Sequence, residues 1–101
     1  MYAGITIFHL RPEDIGEFDR LVADRLAEFK QLPGATRLLF LSDAATGKAA
    51  ALALYETEAE VSAAPVSASY QRLLNLPELQ ALLARATEPV KRETLRVVAQ
   101  L

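Results

Sequence analysis

The sequence has no cysteine and no tryptophan, and it has only one histidine. Without thiols there is no disulfide framework, thiolate zinc site, iron–sulfur cluster or cysteine nucleophile. One histidine leaves little room for a multi-histidine centre, so no metal site is expected. Neither sign of charge dominates: eleven basic and thirteen acidic residues give a formal net charge of −2. With no basic stripe, no nucleic-acid partner is expected. No apolar run approaches the roughly 18 residues that a membrane-spanning helix needs. The stretch Met1–Phe8 lacks the basic start of a signal peptide. Together these point to a cytoplasmic protein without a membrane partner. The glycine-rich nucleotide loops, the paired-histidine zinc motif and the nucleophile-elbow serine motif are also absent.

What is present is an ordinary globular composition, 51% hydrophobic and 24% charged over 101 residues. That is too apolar for disorder, and the length suits one domain spanning residues 1–101.

Residues 2–10 read as a strand, with β-branched or aromatic Ile5, Thr6, Ile7 and Phe8. Arg11-Pro12-Glu13-Asp14 opens a helix: proline suits the first turn, and acids favour its dipole. Ile15, Phe18, Leu21, Val22, Leu26, Phe29 and Leu32 recur at helical spacing, which predicts one amphipathic helix of about twenty residues. Pro33-Gly34 stops it. Strands are predicted at 35–42 and 49–56, joined by a turn at 43–48 in which Gly47 takes a positive φ. Thr57 with Glu60 forms a capping-box pattern. Helical turns follow to Ala64, from Ser67 to Leu74, and from Pro77 to about Ala86. Residues 90–100 read as the last strand.

The order β-α-β-β-α-β is the split βαβ pattern of the ferredoxin-like α+β fold, a four-stranded antiparallel sheet with helices on one face. Strand alternation separates two rows. One collects Ile5, Ile7, Leu52, Leu54, Leu95 and Val97, and being the more aliphatic it is assigned to the helices. The other is mixed: Thr6, Phe8, Leu39, Leu41, Ala51, Ala53, Tyr55, Arg92, Thr94 and Arg96. Leu38–Leu41 is apolar on both sides, so something should cover the second face. A second copy of the sheet is the economical candidate.

Several residues admit both a chemical and a structural role. His9 could be a general base or a histidine at the strand's rim. Arg92 and Arg96 could stabilise an anion or could be edge charges that discourage aggregation. Tyr55 could donate a phenolic proton or pack with its hydroxyl outward. Tyr70 and Ser67 could line a pocket mouth or belong to the core. Ala49, Ala51 and Ala53 remove volume, which either the packing or a ligand must fill.

Over nearly its whole length the chain resembles the dimeric α+β barrel superfamily, close to the antibiotic biosynthesis monooxygenase-like group. The resemblance rests on Arg11-Pro12 before the long helix, on Leu32-Pro33-Gly34-Ala35, on Tyr55-Glu56-Thr57-Glu58-Ala59-Glu60 and on Ser67-Ala68-Ser69-Tyr70. It implies a homodimer in which two sheets form a barrel. It also implies a pocket for an apolar aromatic or quinone-like small molecule, and oxygenation without metal or flavin, hence no cofactor. In that picture Tyr55 stands near the family's third-strand tryptophan, and Arg92 or Arg96 supplies a cation. Thr6, Phe8, His9 and Tyr70 would contact the ligand. The asparagine–tryptophan–histidine triad of haem-degrading relatives does not carry over, because there is no tryptophan and Asn75 lies at a helix cap. The other reading is a non-catalytic dimeric ligand-binding or stress-type module whose arginines are structural.

Overall fold

Four strands, β1 (Tyr2–His9), β2 (Ala35–Ser42), β3 (Lys48–Tyr55) and β4 (Glu88–Arg96), pair in the order β2-β3-β1-β4. Every pairing is antiparallel. Helices lie between the strands in sequence: α1 (Ile15–Asp24) and α2 (Leu26–Phe29), then α3 (Glu58–Ala63), α4 (Ala68–Leu74) and α5 (Pro77–Ala84). This is the ferredoxin-like α+β arrangement, seen in a computed structural model that describes residues 1–29 and 32–101.

The Thr57 cap acts as the sequence predicts, whereas Asn75, expected to open the helix at Pro77, closes α4 instead, and α5 starts without a side-chain cap. The Glu60 amide donates to Thr57 Oγ1 at 3.2 Å, and the Thr57 hydroxyl donates to the Glu60 carboxylate at 3.0 Å. The Ser67 hydroxyl accepts from the Tyr70 amide at 3.2 Å and so starts α4. Pro65 sits in a short 3₁₀ turn and Pro77 in the first turn of α5, so the second helical region is three pieces.

Two elements differ from expectation. The single long helix is interrupted at Arg25, whose backbone leaves helical geometry at φ −108°, ψ 15°. There the Arg25 guanidinium reaches across to Glu78 at 2.6 Å. The last part of that predicted helix falls on residues 30 and 31, outside the described residues. The final strand spans Glu88–Arg96 rather than residues 90–100. Arg96 pairs with Tyr2, and the Val97 amide makes one more bond to the Met1 carbonyl.

The larger correction concerns the sheet's two faces. Thr6 lies across from Ala51, Phe8 from Ala49 and Phe40 from Ala51. Thr6, Phe8, Ala49, Ala53 and Tyr55 are buried beneath the helices. Ile5 and Ile7 are only half-buried, and Leu95 is exposed. The helices therefore cover the mixed row, and the aliphatic row faces away. Leu39 and Leu41, predicted beside Thr6, instead share the open face, with Leu39 opposite Leu52. The reason is steric. Helices approach a sheet where glycine, alanine and threonine leave room, and hydrophobicity alone does not reveal that room.

Two core clusters result. Phe8, Leu10, Ile15, Phe18, Leu21, Ala49, Leu79 and Leu82 join β1 and β3 to α1 and α5. Ala53, Tyr55, Val61 and Ala64 form the second, under α3. Burying each large side chain here stabilises the fold by roughly 1.5–3 kcal/mol.

Asp14 anchors the loop after β1. Its carboxylate accepts from Arg11 Nε at 3.0 Å and from Arg85 Nε at 3.2 Å, which ties that loop to the end of α5. These hydrogen bonds, Arg11's first, hold its carboxyl below the ordinary range. A depressed folded-state value stabilises above the unfolded carboxyl's pKa and is lost as pH falls through the folded one. Urea unfolding of Asp14→Asn should therefore lose stability at neutral pH and show a shallower acid limb than the wild type. Gly47 has φ +81°, and a Cβ there would overlap the Leu10 carbonyl oxygen. Gly47→Ala should cost about 2 kcal/mol in the same measurement.

Candidate functional site

Between the two core clusters lies a cavity of about 50 Å³. Its walls come from β1 (Thr6, Phe8), β2 (Leu38, Phe40), β3 (Ala51), α1 (Phe18, Leu21, Val22), α4 (Tyr70, Leu73, Leu74) and α5 (Leu79), with Phe29 and Leu32. Ala49 and Ala53 are packed into the cores, and Ala51 is the alanine of β3 that leaves the space. Thr6 and Tyr70 are the polar residues of an otherwise apolar wall.

Those two meet directly. Thr6 Oγ1 and the Tyr70 hydroxyl are 2.7 Å apart. Arg92 Nη1 donates to Thr6 Oγ1 at 3.3 Å, and Arg92 Nη2 donates to the Val61 carbonyl at 3.3 Å. The guanidinium also stacks on the Tyr70 ring, 5.3 Å from its centroid. Arg92 stands behind the hydroxyl pair and is not part of the cavity wall. Among the described residues no carboxylate pairs with it.

Gly4 makes this seat. It is two residues before Thr6 on the same face, opposite Ala53 and Thr94. A Cβ at Gly4 would collide with Arg92 Nη2 and come within 3.1 Å of Val61 Cγ2. A glycine inside a strand often marks such a close approach, and this signal was available in the sequence but unused. The wall residues from β2 and α1, and Leu73 and Leu74 of α4, had no comparable signal, because each reads as ordinary core.

Tyr55 is almost wholly buried. Burial raises its phenol above the ordinary range, and the neighbouring Arg92 charge pulls it partway back. Phe8 is buried on the wall and packs on Phe18, with ring centroids 5.7 Å apart.

The sheet thus brings together Thr6, Phe8, Tyr55, Tyr70 and Arg92 on one face. It separates two others from them. His9 belongs to the opposite row, where its Nδ1 lies 3.3 Å from a Glu88 carboxylate oxygen. Arg96 is exposed at the end of β4, level with Tyr2. Ser67 serves as the cap of α4, and Asn75 donates to the Gln71 carbonyl at the other end of that helix. Among the described residues no cluster of three or more acidic or histidine side chains could hold a metal ion, and no helix is long and apolar enough to cross a membrane.

The Tyr55 environment is testable by absorbance titration of the phenols. The Tyr55 step should come later than an ordinary phenol's. In Arg92→Leu it should move later still, because the cation that favours ionisation has gone. An unmoved step would remove the Arg92–Tyr55 coupling.

No protein-family model matches this sequence, and no curated protein matches it by sequence comparison. Solved structures do share its fold. SnoaB, a cofactor-independent oxygenase from Streptomyces nogalater solved as a mutant, is 19% identical, with 99% of this chain and 95% of that one aligned at a TM-score of 0.64. A structure described as an antibiotic biosynthesis monooxygenase is 14% identical over 98% of this chain and all of its own, at 0.68. A Nitrosomonas europaea protein of unknown function is 14% identical over 99% and 91%, at 0.73. At these identities the likeness is one of backbone: the chain has the ferredoxin-like α+β fold found in solved structures of antibiotic biosynthesis monooxygenase type.

Proposed function

We propose that this protein is a homodimer that binds an apolar aromatic or quinone-like small molecule at the Thr6–Tyr70 end of its cavity and oxygenates it without a cofactor. The observation that carries this reading is an apolar cavity ended by two hydroxyls, with an unpaired guanidinium directly behind them. Thr6 and Tyr70 hold the ligand's oxygen, and Phe8 packs on its ring. Arg92 acts through Thr6, lending positive charge where an enolate or phenolate develops. Tyr55 backs Arg92. The step is R₂CH₂ + O₂ → R₂C=O + H₂O. The substrate loses a proton to water, its carbanion adds dioxygen to give a peroxide anion, that anion takes a proton back to form the hydroperoxide, and loss of water leaves the carbonyl. A volume of about 50 Å³ is smaller than the roughly 150 Å³ that admits benzene, so only the reacting edge enters.

The open face supports the homodimer. Ile5, Ile7, Leu52 and Leu54 are half-buried there, and Leu39, Leu41 and Leu95 are 40%, 50% and 55% exposed. A contiguous apolar patch of that kind usually marks an interface, and a twofold pairing covers both copies at once.

A specific observation favours the second reading, a ligand-binding module without chemistry. The described wall carries no histidine or carboxylate that could take the substrate's proton.

The test uses anthrone with an oxygen electrode and anthraquinone absorbance, beside a native mass spectrum. The expected result is a dimer of 11.1 kDa chains, oxygen uptake above the uncatalysed rate, and a loss of at least about tenfold in Arg92→Ala. Uptake at the background rate would leave binding without catalysis, and unchanged turnover in both Arg92→Ala and Arg96→Ala would remove the arginines from the chemistry. A monomer would remove the barrel.

A further inference from the structure

The hydroxyl pair has a proton count that selects its ligand. Thr6 and Tyr70 carry one hydroxyl hydrogen each. Their mutual bond, 2.7 Å long, uses one of the two, whichever way it runs. Arg92 cannot accept the other, because a guanidinium only donates, and it fills a lone pair on Thr6 Oγ1. Among the described residues neither hydroxyl makes a further side-chain hydrogen bond as donor. One O–H is therefore left over, on residues that both line the cavity. Thr6 is 3% exposed, and Tyr70 is half-buried.

The Arg92 charge strengthens the leftover donor. A hydroxyl that accepts from a cation becomes a better donor to its next partner. With no carboxylate on Arg92, the local potential also favours an electron-rich oxygen. Gly4 makes this possible, because any side chain there would collide with the guanidinium in its present seat.

We infer that Arg92, seated over Gly4, turns the Thr6–Tyr70 hydroxyl pair into a net hydrogen-bond donor facing the cavity. The cavity thereby selects ligands with an oxygen acceptor (a ketone, quinone or phenolate) over hydrocarbons of equal shape. This rests on the cavity being the binding site, as proposed above. It makes Thr6 and Tyr70 the specificity determinants, and Gly4 and Arg92 positioning residues.

The experiment compares acetophenone with α-methylstyrene, which replaces the carbonyl oxygen by a methylene group. Binding to the full chain is followed by NMR titration. The wild type should bind acetophenone about tenfold more tightly, the upper end of what one neutral hydrogen bond contributes. The double variant Thr6→Val with Tyr70→Phe should bind both probes alike. Gly4→Ala keeps both hydroxyls but displaces Arg92. It should lose most of the preference while its α-methylstyrene affinity stays the same, an effect that general loosening of the fold does not produce. Arg92→Leu makes the same comparison if Gly4→Ala does not fold. Equal binding of both probes by the wild type, or a preference that survives in the double variant, overturns the inference and leaves the cavity standing. Binding of neither probe overturns the cavity reading and this inference with it.

Discussion

The antiparallel register of β1 against β3 and β4 sets Thr6 between Ala51 and Arg92, and Gly4 between Ala53 and Thr94. The site depends on those pairings. Because side chains alternate, the register sends one small row under the helices and the aliphatic row outward. A slip of one residue would bury Ile5 and Ile7, fill the cavity and expel Arg92 from beneath α3. The missing side chains at Gly4 and Ala51 are thus as structural as the large ones at Phe8 and Tyr55.

Placing a cation in that row has a cost that the structure offsets locally. Arg92 gives up water for a hydroxyl, a carbonyl and an aromatic face. Those partners are neutral, so its charge is not cancelled. Asp14 shows the contrasting case. It too is buried, but two guanidiniums neutralise it, and it ties a loop to a helix end. A compensated charge serves stability, whereas an uncompensated one beside an apolar cavity can polarise what enters it.

Local signals made much of the fold legible. The Thr57 cap and the Gly47 turn are short-range effects, and both appear where the residues place them. Misreadings came where a partner decides the outcome. The helix breaks at Arg25 while its side chain pairs with Glu78, 53 residues away. The last strand stops at Arg96, where its pairing with β1 reaches Tyr2. Thr6, Phe8, Tyr55, Tyr70 and Arg92 were legible as candidates and do converge. His9 and Arg96 do not, because alternation puts His9 on the other face and Arg96 lies past the end of the cavity.

The sequence by itself determined the element order and the two alternating rows, because propensity, capping and the period of two act over a few residues. It also ruled out thiolate and multi-histidine chemistry by composition. Only the tertiary structure decided which row the helices cover, since that depends on the room left by Gly4, Thr6 and Ala51 once three strands are in register. The meeting of Thr6, Tyr70 and Arg92 was likewise decided there. They lie up to 86 residues apart, and no local rule reports the proton count of a contact made across that distance.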